Sequence, residues 1–207
     1  MSSEPSSLRV APGGVDWRRA EFILTGLAFL GFITIAIRLK TISPGLPAHP
    51  LIIHVPVVLI PLSVLGGLAC VARPQWFDRY GILLCLCGIV AMSSIFLAMQ
   101  AGAALESALN LTGMQAQLIH EHSHAADILA IGFVLFTATL ILTFSAHRIS
   151  GGMPTGLGIA DSLLGERAVY LTLRIGVVVL ALFCAYYVYH VGDLGAKAVW
   201  LGRLQSS

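Results

Sequence analysis

Charged side chains are scarce in this chain: only 11% of its 207 residues are Asp, Glu, Lys or Arg, while 57% are hydrophobic. The mean hydropathy of +0.88 is too high for a soluble domain of this size. The twelve Lys and Arg residues lie scattered between apolar runs, without the basic stripe that nucleic-acid binding needs. The composition therefore predicts a membrane protein in contact with the lipid bilayer and excludes DNA and RNA as partners.

Cysteine is also sparse, and its placement excludes two kinds of site. No C-x-x-C-H run is present, so covalent attachment of a c-type haem is excluded. A disulfide framework is not expected either, because all the cysteines lie inside apolar segments, where a thiol behaves as a small hydrophobic side chain. The four are Cys70, Cys85, Cys87 and Cys184.

The two-residue alternation of a β-barrel wall is missing, since the apolar segments are continuous. Each segment can cross a hydrocarbon core that takes roughly 20 helical residues. The sequence therefore predicts an all-α membrane protein with five transmembrane helices, a four-helix core plus one N-terminal helix. The five apolar runs are 22–37, 51–72, 81–105, 128–146 and 168–191.

These runs divide the chain into four segments. Residues 1–19 are rich in Ser, Pro and Gly and are predicted to form a disordered cytoplasmic tail. Residues 20–40 form the additional N-terminal transmembrane helix, which lacks the small-x-small cleavage site of a signal peptide. Residues 46–200 form the four-helix membrane domain, and residues 201–207 form a second tail.

Basic residues predict the orientation, because cytoplasmic loops carry an excess of Lys and Arg. With the N-terminus in the cytoplasm and the C-terminus outside, eight basic residues lie on the cytoplasmic side and four on the outer side. The opposite orientation would reverse this ratio. In the favoured orientation, six of the seven histidines lie near the outer face: His49, His54, His120, His122, His124 and His190.

Several histidines at one end of a helical bundle fit a haem b, whose iron takes two neutral imidazoles from facing helices. His54 lies one turn inside the bilayer, where an imidazole is costly unless it has a partner or a ligand. His124 and His190 lie at the same predicted face on two other helices. The predicted haem ligands are therefore two of these three residues. At His49, in the entry loop before Pro50, a simple hydrogen bond to a carbonyl group is favoured.

A second hypothesis comes from the run His120-Glu121-His122-Ser123-His124. In a helix, His120 and His124 share one face and His122 points away from it. The run also matches the H-E-x-x-H pattern of zinc peptidases, but no third protease ligand follows, so peptidase chemistry is disfavoured. The alternative is a zinc or copper ion bound by His120, His122, His124 and Glu121. A third hypothesis, a structural subunit of a larger membrane complex, needs none of these histidines.

Three short motifs lie at the ends of the predicted helices. An H-P-x-x-x-H-x-P motif begins at His49, a Q-A-G sequence ends at Gly102, and a G-x-x-G-A sequence runs from Gly192 to Ala196. This pattern resembles the bacterial integral-membrane family filed as domain of unknown function 2231, over about residues 46–200.

The resemblance implies a function as well as a fold. Members of that family are often encoded beside or fused to c-type cytochrome modules, which implies redox work in the bacterial plasma membrane. A c-type cytochrome or another redox subunit is then the expected partner. Family members commonly carry a histidine where this chain has Asp193. Any ligand role of that position therefore passes to His190 or is absent.

Overall fold

The computed structural model describes residues 49–108, 112–153 and 158–204, and every element within these ranges is an α-helix. The predicted tail over residues 1–19 and the predicted N-terminal helix over residues 20–40 lie outside the described residues. Four helical segments are long and apolar enough to span a membrane. The all-α membrane fold is thus confirmed with four spans, and the fifth span stays a prediction.

Six helices follow one another in the described chain, and α1 and α2 together make the first span of 24 residues. The remaining three spans are α3, α4 and α6, while α5 is a short helix in the last connection. The helices are α1 (His49–Ile52), α2 (His54–Ala72), α3 (Gln75–Ala108), α4 (Gly113–Ser150), α5 (Gly158–Gly165) and α6 (Arg167–Leu204).

The boundary between α1 and α2 is a local irregularity in one continuous spiral. The amide of Ile53 still donates to the carbonyl of His49 at 3.1 Å, and Val57 donates to Ile53 at 3.1 Å. Pro56 has no N–H to donate to the carbonyl of Ile52, so the ladder loses one bond there. The sequence therefore keeps His49 and His54 on one span.

Short connections make neighbouring spans antiparallel. The first span packs against α3 and α6, and α4 packs against α3 and α6, which gives an up-and-down four-helix bundle. One end of the bundle, named here the histidine end, contains the start of α1, the end of α3, the start of α4 and the end of α6. The opposite end is named the arginine end. The histidine end carries the six histidines that the sequence assigns to one face.

The bundle core is a cluster of buried aromatic and aliphatic side chains contributed by all four spans. Helix α6 is the least enclosed of the four spans. Of its apolar 18-residue stretch, 17% is buried inside the bundle, against 39% to 44% in the other three spans. The four cysteines are free thiols, as expected, and only Cys87 is partly exposed. The largest fully buried side chains include Phe77, Phe133, Phe136, Leu140, Val177 and Cys184.

The helices are longer than the apolar runs that predict them. Helices α4 and α6 each contain 38 residues, or about 57 Å at roughly 1.5 Å per residue. The hydrocarbon core is only about 30 Å thick. The ends of these helices therefore extend beyond the hydrocarbon, and the histidine-rich start of α4 belongs to that extension.

Candidate cofactor site at the histidine end

His49 packs against the neighbouring helix α3 at the start of α1. Its Nδ1 lies 2.8 Å from the carbonyl oxygen of Ala98. A carbonyl only accepts, so Nδ1 carries the proton and donates, and in the neutral ring Nε2 keeps the lone pair. The ring lies over Gly102, where an added Cβ would come within 3.1 Å of its Cε1 atom. Glycine at this position leaves the space in which the imidazole sits.

His122 repeats the same arrangement between α4 and α6. Its Nδ1 donates to the carbonyl oxygen of Val191 at 2.9 Å. The ring lies over Gly195, where an added Cβ would come within 3.2 Å of Cε1. In both places the ring bonds a carbonyl and covers the glycine four residues later, one helical turn along the neighbouring helix. Two separate helix pairs thus hold an imidazole in the same way.

The two anchored imidazoles share one region of the bundle. His49 at the start of α1 and His122 near the start of α4 both lie at the histidine end. Both are half-buried, and no described residue bonds the Nε2 atom of either ring. The site therefore offers two candidate nitrogen ligands, the Nε2 atoms of His49 and His122, on two different helices.

The three histidines that the sequence predicts as haem ligands are placed differently. His54 is exposed on α2, and His124 is exposed on α4. His190 is half-buried and stacks on Tyr186, with ring centroids 5.8 Å apart and an interplanar angle of 13°. None of the described contacts joins these three residues to one another. The ligand set His54, His124 and His190 stays a prediction.

The residues of the alternative metal site point in different directions from α4. His120 and His124 share an exposed face, while His122 turns toward α6, as the helical spacing predicts. The Glu121 carboxylate accepts a hydrogen bond from the Gln117 amide at 2.9 Å. Within the described ranges no group of three or more His, Cys, Asp or Glu side chains is arranged to hold a metal ion. A zinc or copper site built from this run also stays a prediction.

The seventh histidine lies at the arginine end and has both nitrogens engaged. His147 Nε2 donates to the Asp78 carboxylate at 2.9 Å, and its Nδ1 lies 3.4 Å from the Tyr170 hydroxyl. These contacts join α3, α4 and α6. Since neither nitrogen is left for a ligand, His147 has a structural role, in contrast to His49 and His122.

The structure gives His49 and His122 contacts that the sequence alone does not reveal. The sequence favours a carbonyl hydrogen bond over a ligand role at His49, yet the bond uses Nδ1 and a ligand would take Nε2, so the two roles are compatible. In the sequence, the signal for these contacts is the pair of glycine motifs at the helix ends. Gly102 and Gly195 are the residues over which the rings lie.

A family model described as "Predicted membrane protein (DUF2231)" matches residues 45–207. The chain belongs to the DUF2231 family. Comparison with curated proteins and with solved structures gives no significant match. The part matched to DUF2231 contains both anchored histidines and both glycines, whereas the apolar run at residues 22–37 lies outside it.

The contact between His122 and Gly195 predicts that a leucine destabilises the protein at Gly195 but not at Gly192, a nearby position of α6. Gly195→Leu is expected to push the His122 ring off the Val191 carbonyl, which costs a hydrogen bond of about 1 kcal/mol and about 1 kcal/mol or more of overpacking. Gly192→Leu is the matched control, because an added Cβ there has no atom within 4 Å. Both variants gain the same helix propensity. Thermal unfolding in detergent should therefore show a clearly lower midpoint for Gly195→Leu; equal midpoints would contradict the packing described.

Proposed function

We propose that this chain is a haem b-binding subunit of a plasma-membrane electron-transfer system, and that His49 and His122 would hold the iron. The observation that carries the proposal is the shared geometry of the two rings. Each donates from Nδ1 to a backbone carbonyl and keeps Nε2 without a partner among the described residues. Ligating histidines characteristically donate their second ring N–H in this way, which fixes the tautomer and ring orientation.

Two ligands suit a haem better than a bare metal ion. A structural zinc site takes four protein ligands and a catalytic site takes three. When bound, a haem would supply a one-electron iron centre that needs only two ligands from the protein, here the imidazoles of His49 and His122. The described residues offer a pair of anchored imidazoles and no cluster of three donors, which favours the haem over the zinc or copper alternative.

The residues of this chain contribute three things to such a site. The carbonyls of Ala98 and Val191 orient the imidazoles and increase the basicity of Nε2, which would favour the oxidised state of a bound iron. Gly102 and Gly195 let each ring approach the neighbouring helix closely. The buried apolar core of the bundle would limit the access of water to a bound haem. A c-type cytochrome or another redox subunit is the proposed electron partner.

The proposal is tested first by spectroscopy on the full chain, purified from haem-replete membranes and also titrated with hemin. A reduced-minus-oxidised α-band typical of b-type haem, with about one haem per chain, is expected. A preparation that is colourless and binds no added hemin would overturn the proposal. Stoichiometric zinc or copper in the same preparation would instead support the metal hypothesis, and the absence of every cofactor would favour the structural-subunit hypothesis.

We also propose that the histidine end faces the outside of the cell. The arginine end carries five arginines, whereas the described histidine end carries only two basic residues, and cytoplasmic ends are enriched in Lys and Arg. The five are Arg73, Arg79, Arg148, Arg167 and Arg174, and the two are Lys197 and Arg203.

The orientation predicts the behaviour of a reporter fused after Trp200. Alkaline phosphatase at this position should be active, because it folds only outside the cytoplasm, whereas a fluorescent protein that matures only in the cytoplasm should stay dark. The matched control places the same reporters in the connection between α4 and α5, at the arginine end, where the two signals should be reversed. A fluorescent fusion after Trp200 would place the histidine end in the cytoplasm.

A further inference from the structure

Two arginines of the arginine end rest on aromatic rings beside the connection between α2 and α3. The Arg73 guanidinium lies over the Trp76 ring, 5.8 Å from its centroid, and the Arg79 guanidinium lies over the Tyr80 ring at 5.5 Å. The two rings meet edge to face, with their centroids 6.3 Å apart. These four side chains therefore form one continuous group, named here the arginine–aromatic cluster.

The guanidinium groups of the arginine–aromatic cluster have unused hydrogen-bond donors. Neither group makes a hydrogen bond or an ion pair with any residue that the structure describes. By contrast, Arg174 donates to the carbonyl of Val71 at 2.6 Å. The neighbouring acid Asp78 accepts from His147 on α4 instead. A ring contact occupies only the face of a guanidinium, so the N–H groups in its plane stay available for an anionic ligand.

The cluster lies at the level where two apolar runs end. Arg73 directly follows the run at residues 51–72, and Tyr80 directly precedes the run at residues 81–105. Tryptophan and tyrosine are enriched at this level in membrane proteins, where the lipid headgroups meet the hydrocarbon. All four side chains of the cluster are exposed. The cluster therefore presents its two cations to the headgroup layer.

An aliphatic surface continues from the cluster toward the middle of the membrane. Leu83 lies one turn beyond Tyr80 on the same face of α3 and is 66% exposed. Leu65 of α2 is 64% exposed. The two leucines lie at similar depth, because Gly66 of α2 packs against the Leu84 side chain. Two helices thus offer an apolar surface for acyl chains directly below the cations.

We propose that the arginine–aromatic cluster binds the headgroup of an anionic phospholipid, whose acyl chains lie along Leu65 and Leu83. Phosphate oxygens accept charge-assisted, paired hydrogen bonds from the fork of an arginine. A zwitterionic headgroup carries a cation of its own, which two arginines repel, so a lipid with a net negative charge is preferred. A free phosphate ion would leave the aliphatic surface unused. The proposal depends neither on a bound haem nor on the orientation in the membrane.

Quenching of Trp76 fluorescence by brominated lipids measures which lipid occupies the cluster. The chain has three tryptophans, so the variant Trp17→Phe/Trp200→Phe keeps Trp76 as the single fluorophore. This full chain is reconstituted in equal amounts of phosphatidylglycerol and phosphatidylcholine, with bromine on the acyl chains of one lipid at a time. A preference of roughly fivefold for phosphatidylglycerol is expected. Equal quenching by the two lipids would overturn the proposal.

Arginine substitutions in the same background test whether the preference is local. Arg73→Gln and Arg79→Gln are each expected to reduce it, and the double variant to bring it close to one, at unchanged helix content by circular dichroism. Arg167→Gln is the matched control. Arg167 also directly precedes an apolar run at the arginine end, but its guanidinium contacts no ring among the described residues. The control should keep the preference; an equal loss there, or no loss in the double variant, overturns the local site.

Inorganic phosphate distinguishes a lipid headgroup from a free anion. The quenching measurement is repeated with phosphate in place of chloride at equal ionic strength, so that screening of the arginines is the same. A lipid whose chains are held on the aliphatic surface keeps its place, and the preference for phosphatidylglycerol is expected to stay unchanged. If phosphate removes the preference, the cluster binds a free anion, and the assignment to a phospholipid is wrong.

Discussion

Replacing His49 or His122 with alanine is expected to abolish the low-spin b-type α-band of the haem-loaded protein. Each substitution removes one Nε2 ligand, so the iron loses six-coordinate ligation or the haem is lost altogether. The variants His54→Ala and His124→Ala are matched controls, because both side chains are exposed at the same end of the bundle. They are expected to keep the band.

The same series separates the two ligand sets. If the sequence-predicted set of His54, His124 and His190 holds the iron, two of those three alanine variants lose the band and His49→Ala and His122→Ala keep it. Added imidazole should partly restore the band in His49→Ala and His122→Ala, because a small ligand can enter the vacated position. Recovery also shows that the variant is folded, and it distinguishes a lost ligand from a collapsed bundle.

The bundle itself could be predicted because lipid imposes a simple rule. Backbone groups in hydrocarbon must bond internally, so long apolar runs become helices, and each of the four runs between residues 51 and 191 lies within one described span. The helix ends were less predictable. Helix α4 begins at Gly113, fifteen residues before its apolar run, because a polar extension continues the helix without any hydropathy signal.

The candidate site was only partly predictable, because its decisive contacts are distant in sequence. Helical spacing correctly predicted that His122 points away from His120 and His124. Spacing alone does not tell which of the two faces meets a neighbouring helix. The orientation of His122 toward α6 depends on the carbonyl of Val191, which is 69 residues away in the chain, and on the space left by glycine at position 195. In both contacts, a glycine on the neighbouring helix lies four residues after the residue whose carbonyl accepts the histidine's hydrogen bond. This recurring glycine is the sequence signal for the contacts.

The junction of three helices at Gly67 predicts a large loss of stability when this glycine is enlarged. An added Cβ at Gly67 of α2 would lie 3.1 Å from Phe136 Cζ and 3.6 Å from Val177 Cγ1. Both neighbours are fully buried at 0% exposure, so neither the Phe136 ring nor the Val177 side chain can move aside. Gly67→Leu is therefore expected to destabilise the bundle by about 3 kcal/mol through overpacking, more than the gain of about 1 kcal/mol in helix propensity.

Gly67→Ala and Ala72→Leu complete this test. Gly67→Ala adds only the Cβ, so a small shift of Phe136 competes with the propensity gain and the net change should be much smaller than for leucine. Ala72→Leu enlarges an exposed position of the same helix and should leave the unfolding midpoint in detergent nearly unchanged. If Gly67→Leu unfolds at the same denaturant concentration as Ala72→Leu, the three helices do not meet at this glycine. A large loss confined to Gly67→Leu would show that close approach of α2 to α4 and α6 holds the bundle together.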